Sequence, residues 1–169
     1  MKDFTVQQMW IHEYYERVQH SNDIALLKLS EKAYFTPICL PPASQRYENE
    51  EKAIVAGWGR TESEAISDEV KKATLDVLTN QVCKYSSPKN VEEQITSKIM
   101  CAYKPGHGSC SGDSGGPLMC QPDFQLEVCG IVSLAPRCGS PLLPGLYTRV
   151  TEYIDWISDI VEGRATESE

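Results

Sequence analysis

The sequence is short of histidine and of long apolar runs, and both shortages narrow what it can do. No stretch approaches the roughly 20 apolar residues that a bilayer-crossing helix needs, so no membrane segment is expected in this chain. The first residues, Met1-Lys2-Asp3-Phe4-Thr5, lack the apolar run on which a secretion signal depends. Basic residues are scattered, with no run longer than Lys71-Lys72, and the net charge is -8. That balance argues against nucleic acid and anionic membranes as partners and mainly keeps a surface soluble. No two cysteines form a Cys-x-x-Cys knuckle, so no metal site and no cofactor are expected. Histidine occurs only at His12, His20 and His107.

Cysteine, by contrast, is plentiful: seven among 169 residues. Thiols that stay reduced add little stability, so this count points to an oxidising, extracellular compartment. Disulfide-rich composition without a leader is expected of a sequence that begins partway through a longer secreted precursor, with Met1 an internal methionine or an alternative start. The length suffices for one domain with a real core or two small barrels sharing an interface.

The chain is organised around Gly112-Asp113-Ser114-Gly115-Gly116-Pro117. These residues place one hydroxyl where backbone amides, not side chains, crowd its front. A serine that attacks a carbonyl creates an oxyanion, and the N–H groups of Gly112 and Ser114 are the candidates to hold it, with glycines leaving room for substrate. Cys110 and Cys120 flank the stretch on both sides. A merely Gly-rich turn with an exposed serine explains this arrangement poorly.

Elsewhere the pattern is one of short strands. Phe4 to Ile11 reads as a strand, followed by a polar loop at Glu13 to Asn22 and a second strand at Ile24 to Leu29. Tyr34 to Pro42 is too rich in proline for a central strand and reads as a linker. Six further strands are expected at Lys52 to Gly57, Lys72 to Leu78, Ile99 to Tyr103, Pro117 to Cys120, Leu126 to Leu134 and Gly145 to Val150, the alternation of Thr74 to Val77 suiting a barrel wall. Asn80 to Tyr85 is a candidate short helix. Val150, Tyr153, Ile154, Ile157, Ile160 and Val161 recur at helical spacing, with Thr151 as N-cap and Gly163 just past the end. The polar tail 164–169 is expected to be disordered.

Gly112 to Pro117, together with Asn22-Asp23-Ile24-Ala25-Leu26-Leu27 and Gly57-Trp58-Gly59, closely resembles the chymotrypsin-like (trypsin-fold) serine proteases, over a span from about Gln8 to about Val161. The resemblance implies an all-β, chymotrypsin-like double β-barrel with a C-terminal α-helix. Residues 1–42 would be the remnant of an incomplete N-terminal barrel and the inter-barrel linker, 43–150 a complete six-stranded C-terminal barrel with the nucleophile loop, and 151–163 the helix. It also implies a serine-type endopeptidase working through an acyl-enzyme on Ser114, with a polypeptide substrate or a protease inhibitor as partner.

Ser114 then needs a base and a carboxylate that orients it. Asp23, a lone acid followed by four apolar residues, is drawn toward the core, where a charge must be hydrogen-bonded. Ser133 matches the family serine that helps hold that carboxylate. The base is the gap, because the family's Thr-Ala-Ala-His-Cys type segment occurs nowhere in the chain. His12 matches a surface strand end, His20 a pocket-lining position near Asp23, and His107 the loop framing the specificity pocket. Asp113 matches the acid that pairs with a freed N-terminus in the activation pocket, and unpaired it is expected to turn outward and leave the Gly112 amide unaimed.

The specificity-pocket positions fall on Gly108 at the base and Ala135 and Gly145 on the walls, a neutral slot suited to apolar or aromatic side chains. Family disulfides match Cys83 with Cys101 and Cys110 with Cys138. Cys120 departs from the pattern, since its usual partner falls near Ala53, and is expected to pair with Cys129 across a hairpin. Cys39 is left unpaired and matches a cysteine that tethers upstream sequence in relatives.

Chain order removes two rivals. The α/β-hydrolase elbow needs a histidine after the serine, and none follows Ser114; a subtilisin arrangement lacks the strand-helix alternation it requires. The chain is therefore expected to be inactive by itself. The alternatives are a non-catalytic protease homologue acting as a binding module and a truncated product without independent function.

Overall fold

A computed structural model describes residues 3–47, 51–61, 66–134 and 138–164 of the chain. Two antiparallel strands come first, β1 (Val6–Ile11) and β2 (Ala25–Leu29), forming a ribbon in which Ile11 faces Ala25 and Trp10 faces Leu26. Then come β3 (Lys52–Gly57), β4 (Lys71–Leu78), the helices α1 (Asn80–Tyr85) and α2 (Lys89–Glu92), β5 (Ile99–Tyr103), β6 (Pro117–Cys120), β7 (Glu127–Leu134) and β8 (Gly145–Arg149). The last six strands close into one barrel in the order β3-β4-β5-β8-β7-β6, every pair antiparallel. The fold is thus mostly β, with a closed six-stranded barrel and a C-terminal helix.

The barrel closes because its strands alternate. In β4 and β7 side chains turn in and out by turns, so that Leu75, Val77, Cys129 and Val132 meet Met100, Leu118 and Tyr147 in one interior cluster. Glu127 enters this interior at the start of β7, where its carboxylate accepts the hydroxyl of fully buried Tyr47 at 2.5 Å. A second cluster gathers Cys83, Val91, Ile95, Ile99, Cys101 and Leu146, and the Cys83–Cys101 disulfide binds α1 to β5 within it.

Strand ends differ from the sequence reading by one or two residues. β1 starts at Val6 and not Phe4, β2 at Ala25 and not Ile24, and β7 at Glu127 and not Leu126. Ile24 leaves the ladder because its amide turns back to the carbonyl of Asn22.

The chain's last element needs a larger correction. Val150–Tyr153 is a 3-10 turn and the α-helix, α3, spans Ile154–Val161. Thr151 is not its N-cap. Val150 and Tyr153 are drawn into a cluster with Ile24 and Ile157, which tightens the first turn and carries Thr151 inside. Its hydroxyl makes no hydrogen bond among the described residues. Gly163, at φ +70°, does end the helix, its amide reaching the carbonyl of Ile160. Of the tail 164–169, residues 165–169 lie outside the described residues.

No helix among the described residues is long and apolar enough to cross a membrane. The ribbon differs from the barrel in exposing its apolar side chains: Met9 is 57 % and Ile11 53 % accessible, whereas Leu118 in the barrel is 0 %. Leu118→Ala is therefore expected to cost about 2–5 kcal/mol in urea unfolding, while Met9→Ser on the ribbon stays within about 0.5 kcal/mol.

Candidate active site

The stretch 112–117 is a tight loop sewn to the barrel by its own backbone. The amide of Asp113 reaches the carbonyl of Cys110, that of Gly116 reaches Asp113, and Gly115 and Gly116 exchange bonds with Val132 on β7. Gly112 and Gly115 hold φ values of +100° and +79°, which a side chain would resist. Ser114 is exposed at the turn. Among the described residues neither its amide nor that of Gly112 has an acceptor, so both remain available to an anion.

Asp113 does not turn outward. Its Oδ1 accepts from the amide of Gly59 at 2.8 Å and its Oδ2 from the amide of Cys110 at 2.9 Å. The expectation failed because it treated a freed N-terminus as the necessary partner, whereas one backbone donor 54 residues upstream and another three residues upstream already meet the carboxylate. Glycine is required on that side, since a Cβ at Gly57 would lie 2.0 Å from Asp113 Oδ1 and one at Gly59 2.5 Å from its Cγ.

Asp23 sits just before β2 and is held from the barrel. Its Oδ2 accepts the Ser133 hydroxyl at 2.7 Å, and its backbone carbonyl accepts the Thr148 hydroxyl at 2.7 Å. The preceding residue, Asn22, is buried in a left-handed conformation (φ +52°) and acts as a hub. It donates to the carbonyl of Tyr14 at 2.8 Å and accepts from Lys98 Nζ at 2.6 Å and from the Tyr153 hydroxyl at 3.2 Å. Sequence reasoning missed Asn22, Lys98 and Thr148. Only Asn22 carried a signal, as a residue type that tolerates the left-handed region.

Asp23 and Ser114 open onto the same cavity, of about 540 Å³, whose walls include Met9, Ile11, Ile131 and Val132 with Tyr15. No histidine lines it among the described residues. His12 was expected at a surface strand end and is instead buried, because its ring packs 5.4 Å from Tyr153 and 5.1 Å from Trp156. Its Nδ1 accepts the amide of Tyr14 at 3.2 Å. Burial pulls its pKa below the usual histidine value, opposed by Glu13 and helped by Lys98. His20 is in a left-handed turn off the cavity wall, and His107 is exposed, with Nδ1 2.9 Å from the carbonyl of Pro105.

A second cavity, of about 600 Å³, is lined by Asp113, Gly57, Gly59, Gly108 and Gly139, with Lys71 and Lys72 also among its lining residues. Gly145 faces the Tyr147 ring, which a Cβ would approach to 3.0 Å. The buried Ser109 hydroxyl lies 3.5 Å from that of Tyr147. Ala135 lies outside the described residues.

Cys110–Cys138 joins the segment leading into the 112–117 loop to the connection between β7 and β8, with 4.6 Å between the Cα atoms. Cys120 bonds to Cys129, and Ala53 stands directly across from Cys120 on β3. Cys39 is a free, half-buried thiol whose Sγ lies 2.9 Å from Gln125 Nε2. Among the described residues no group of three or more histidine, cysteine or acidic side chains is arranged to hold a metal.

A family model described as Trypsin matches residues 1–157. The chain is 39% identical over 167 residues to coagulation factor XI of Bos taurus, covering 95% of this chain and 26% of that protein. It is 40% identical over 177 residues to the CLIP domain-containing serine protease HP8 of Bombyx mori, covering 96% of this chain and 47% of that protein. Against the tryptase of Mus musculus it is 35% identical over 169 residues, 93% of this chain and 62% of that protein. The chain thus spans between 26% and 62% of the length of these curated relatives.

Two outcomes follow from the site's geometry. In Gly59→Ala the new methyl overlaps the Asp113 carboxylate, so denaturant unfolding should show a loss of about 1–3 kcal/mol, and the Gly112 and Ser114 amide resonances should shift. His12 gives a pH dependence of definite sign. Its folded-state pKa is depressed below 6.5, so the unfolded chain takes up the proton first and stability falls as pH drops through 6.5 toward the folded value. Thermal melts between about pH 5 and 8 should show that decline, and His12→Phe should flatten it.

Proposed function

The chain belongs to the trypsin family, and from that membership we propose that it is the Ser114-bearing portion of a secreted serine endopeptidase, inactive by itself. In this reading Ser114 is the nucleophile, the amides of Gly112 and Ser114 receive the oxyanion, and Asp23, supported by Ser133, orients a base. Residues 1–42 form the last part of an N-terminal barrel and the linker out of it. The observation that carries the proposal is that a serine with two acceptor-free amides and a carboxylate held by a hydroxyl face one cavity, while all three histidines lie elsewhere.

In peptide hydrolysis by such a site, Ser114 Oγ attacks the scissile carbonyl while a base takes its proton. The carbonyl oxygen turns toward the two amides, and the base returns the proton to the leaving amine, giving the acyl-enzyme. Nucleophile, anion site and orienting carboxylate are supplied by this chain. The base belongs to residues outside 1–169.

Specificity follows from what the pocket lacks. Gly108 brings no charge to its base and Gly145 no side chain to its wall, so apolar or aromatic side chains are favoured over lysine or arginine. The partners are polypeptide substrates or protease inhibitors, and Cys39 is a candidate tether for upstream sequence. Its disulfides suit an extracellular setting.

A fluorophosphonate probe applied to the natural protein tests the proposal. Labelling is expected at Ser114 only in a species longer than 169 residues and should disappear in Ser114→Ala. Labelling of the 169-residue chain with no added base would overturn inactivity. Failure to label at any length would favour the binding-module alternative.

A further inference from the structure

We propose that His12 is a positioning residue for Asp23 and an acid-sensitive latch, closing the Asn22 hub around that carboxylate when its ring is neutral and releasing it when the ring is protonated. The catalytic meaning of the latch rests on the role given to Asp23 above. His12 meets the turn that carries Asp23 from two directions. Its amide donates to the carbonyl of Ile24 at 3.2 Å, and the Ile24 amide reaches back over Asp23 to the carbonyl of Asn22 at 2.9 Å. Its ring Nδ1 accepts the amide of Tyr14, whose carbonyl in turn accepts Asn22 Nδ2 at 2.8 Å. These bonds form a circuit that begins and ends at the residues flanking Asp23.

Accepting the Tyr14 N–H takes a lone pair on Nδ1, so that bond exists only for neutral imidazole. A proton on Nδ1 sets two N–H groups against each other and opens the circuit at Tyr14. The same proton has another acceptor close by, since Glu13 Oε2 lies 3.8 Å from Nδ1. In the closed arrangement that carboxylate accepts from Trp156 Nε1 at 3.2 Å. The ring thus has two alternative partners, the Tyr14 amide when neutral and the Glu13 carboxylate when charged, and two partners make two states.

The surroundings favour the closed state at neutral pH. His12 is packed between Tyr153 and Trp156, and the Lys98 ammonium, 2.6 Å from Asn22 Oδ1, brings a like charge near the ring. Burial depresses the His12 pKa most, Glu13 opposes it and Lys98 adds to it, so opening begins only below the ordinary value of 6.5. The Tyr153 hydroxyl, also on Asn22 Oδ1, is pushed up to about 12 by burial and then by Glu152 and Asp23, and stays neutral throughout. Opening leaves Ser133 and Thr148 on Asp23 but frees the Asn22 side of the turn. Asp23 Oδ1, which has no partner among the described residues, then loses its fixed direction.

An NMR titration of the 169-residue chain between about pH 8 and 4 tests the latch. The His12 ring, the Asn22 Nδ2 protons, the Trp156 indole N–H and the Asp23 carboxyl carbon are expected to move with one midpoint, below 6.5. Glu13→Gln removes the carboxylate of the open state while keeping an acceptor for Trp156, so the shared midpoint should fall. His12→Phe keeps a ring between Tyr153 and Trp156 and should remove the transition from the remaining signals. Asn22 and Asp23 signals that stay still while His12 titrates, or that move only near about pH 4 where carboxylates titrate on their own, would overturn the proposal. A midpoint indifferent to Glu13→Gln would do the same, and because Glu13 is exposed that arm decides the matter even where His12→Phe fails to fold.

The catalytic consequence is read in a species longer than 169 residues. Between about pH 8 and 5.5, fluorophosphonate labelling of Ser114 should fall about tenfold further in the unaltered protein than in His12→Phe. The base titrates in both, so the ratio isolates the latch, and an equal fall in the two would overturn the positioning role. If the longer species labels while the Asn22 and Asp23 signals ignore His12, the latch falls and the catalytic roles stand. If Ser114 labels in no species while those signals move together, the catalytic roles fall and the latch stands.

Discussion

Two backbone N–H groups converge on the carboxylate of Asp113, and the shape of the 112–117 loop depends on that convergence. A half-buried negative charge is tolerated only where donors meet it, and Gly59 and Cys110 supply one to each oxygen. The space is made by Gly57 and Gly59, since a Cβ at either would fall within the carboxylate's own contact distance. With Asp113 anchored to the end of β3, the residues on either side have no freedom to fold their amides back on the barrel. Gly112 and Ser114 present N–H groups outward because their neighbour is held inward.

The other acid, at the cavity that Ser114 lines, is positioned on another principle. Asp23 is carried by the ribbon, whose two strands expose much of their apolar surface and have no interior of their own. Its place is fixed from outside the ribbon: Ser133 on β7 holds the carboxylate, Thr148 on β8 holds the carbonyl, and Asn22 ties the turn to Lys98 and Tyr153. Ile24 completes the attachment by packing with Val150, Tyr153 and Ile157. The C-terminal segment therefore acts as a splint between ribbon and barrel, and its helix begins late for the same reason. Val150 and Tyr153 are used for packing against Ile24 before the regular turns start.

What could be read in the sequence was local. Short apolar runs bounded by turn residues at Lys52 to Gly57 and Ile99 to Tyr103 are a property of neighbouring residues, and those strands have the limits that the pattern implies. The C-terminal helix was legible on similar grounds, whereas closure of the six strands into one barrel came from the family resemblance. The failures share a cause, dependence on partners distant in the chain. The inward turn of Asp113 is decided by Gly59, burial of His12 by Tyr153 and Trp156, and the buried hydroxyl of Thr151 by the pull of Ile24 on its neighbours. The hub at Asn22 joins residues separated by 76 and 131 positions, and no window along the sequence contains such a contact.

Unused hydrogen-bonding capacity, finally, is not spread evenly over the molecule. Folding leaves few buried polar atoms without partners, and here the buried side-chain cases among the described residues are Ser87 Oγ, Gln94 Oε1 and Thr151 Oγ1, none of which lines the cavity. Along the cleft, the exposed hydroxyl of Ser114 and Oδ1 of half-buried Asp23 are without partners among the described residues, as are the amides of Gly112 and Ser114 in the adjoining loop. Disordered loops also have free donors, but they do not hold them in register. An acceptor and a hydroxyl flanked by apolar walls, with two amide donors in the same loop as the hydroxyl, form a polar edge that packing has left open. A wall built only for packing would have closed those groups on one another.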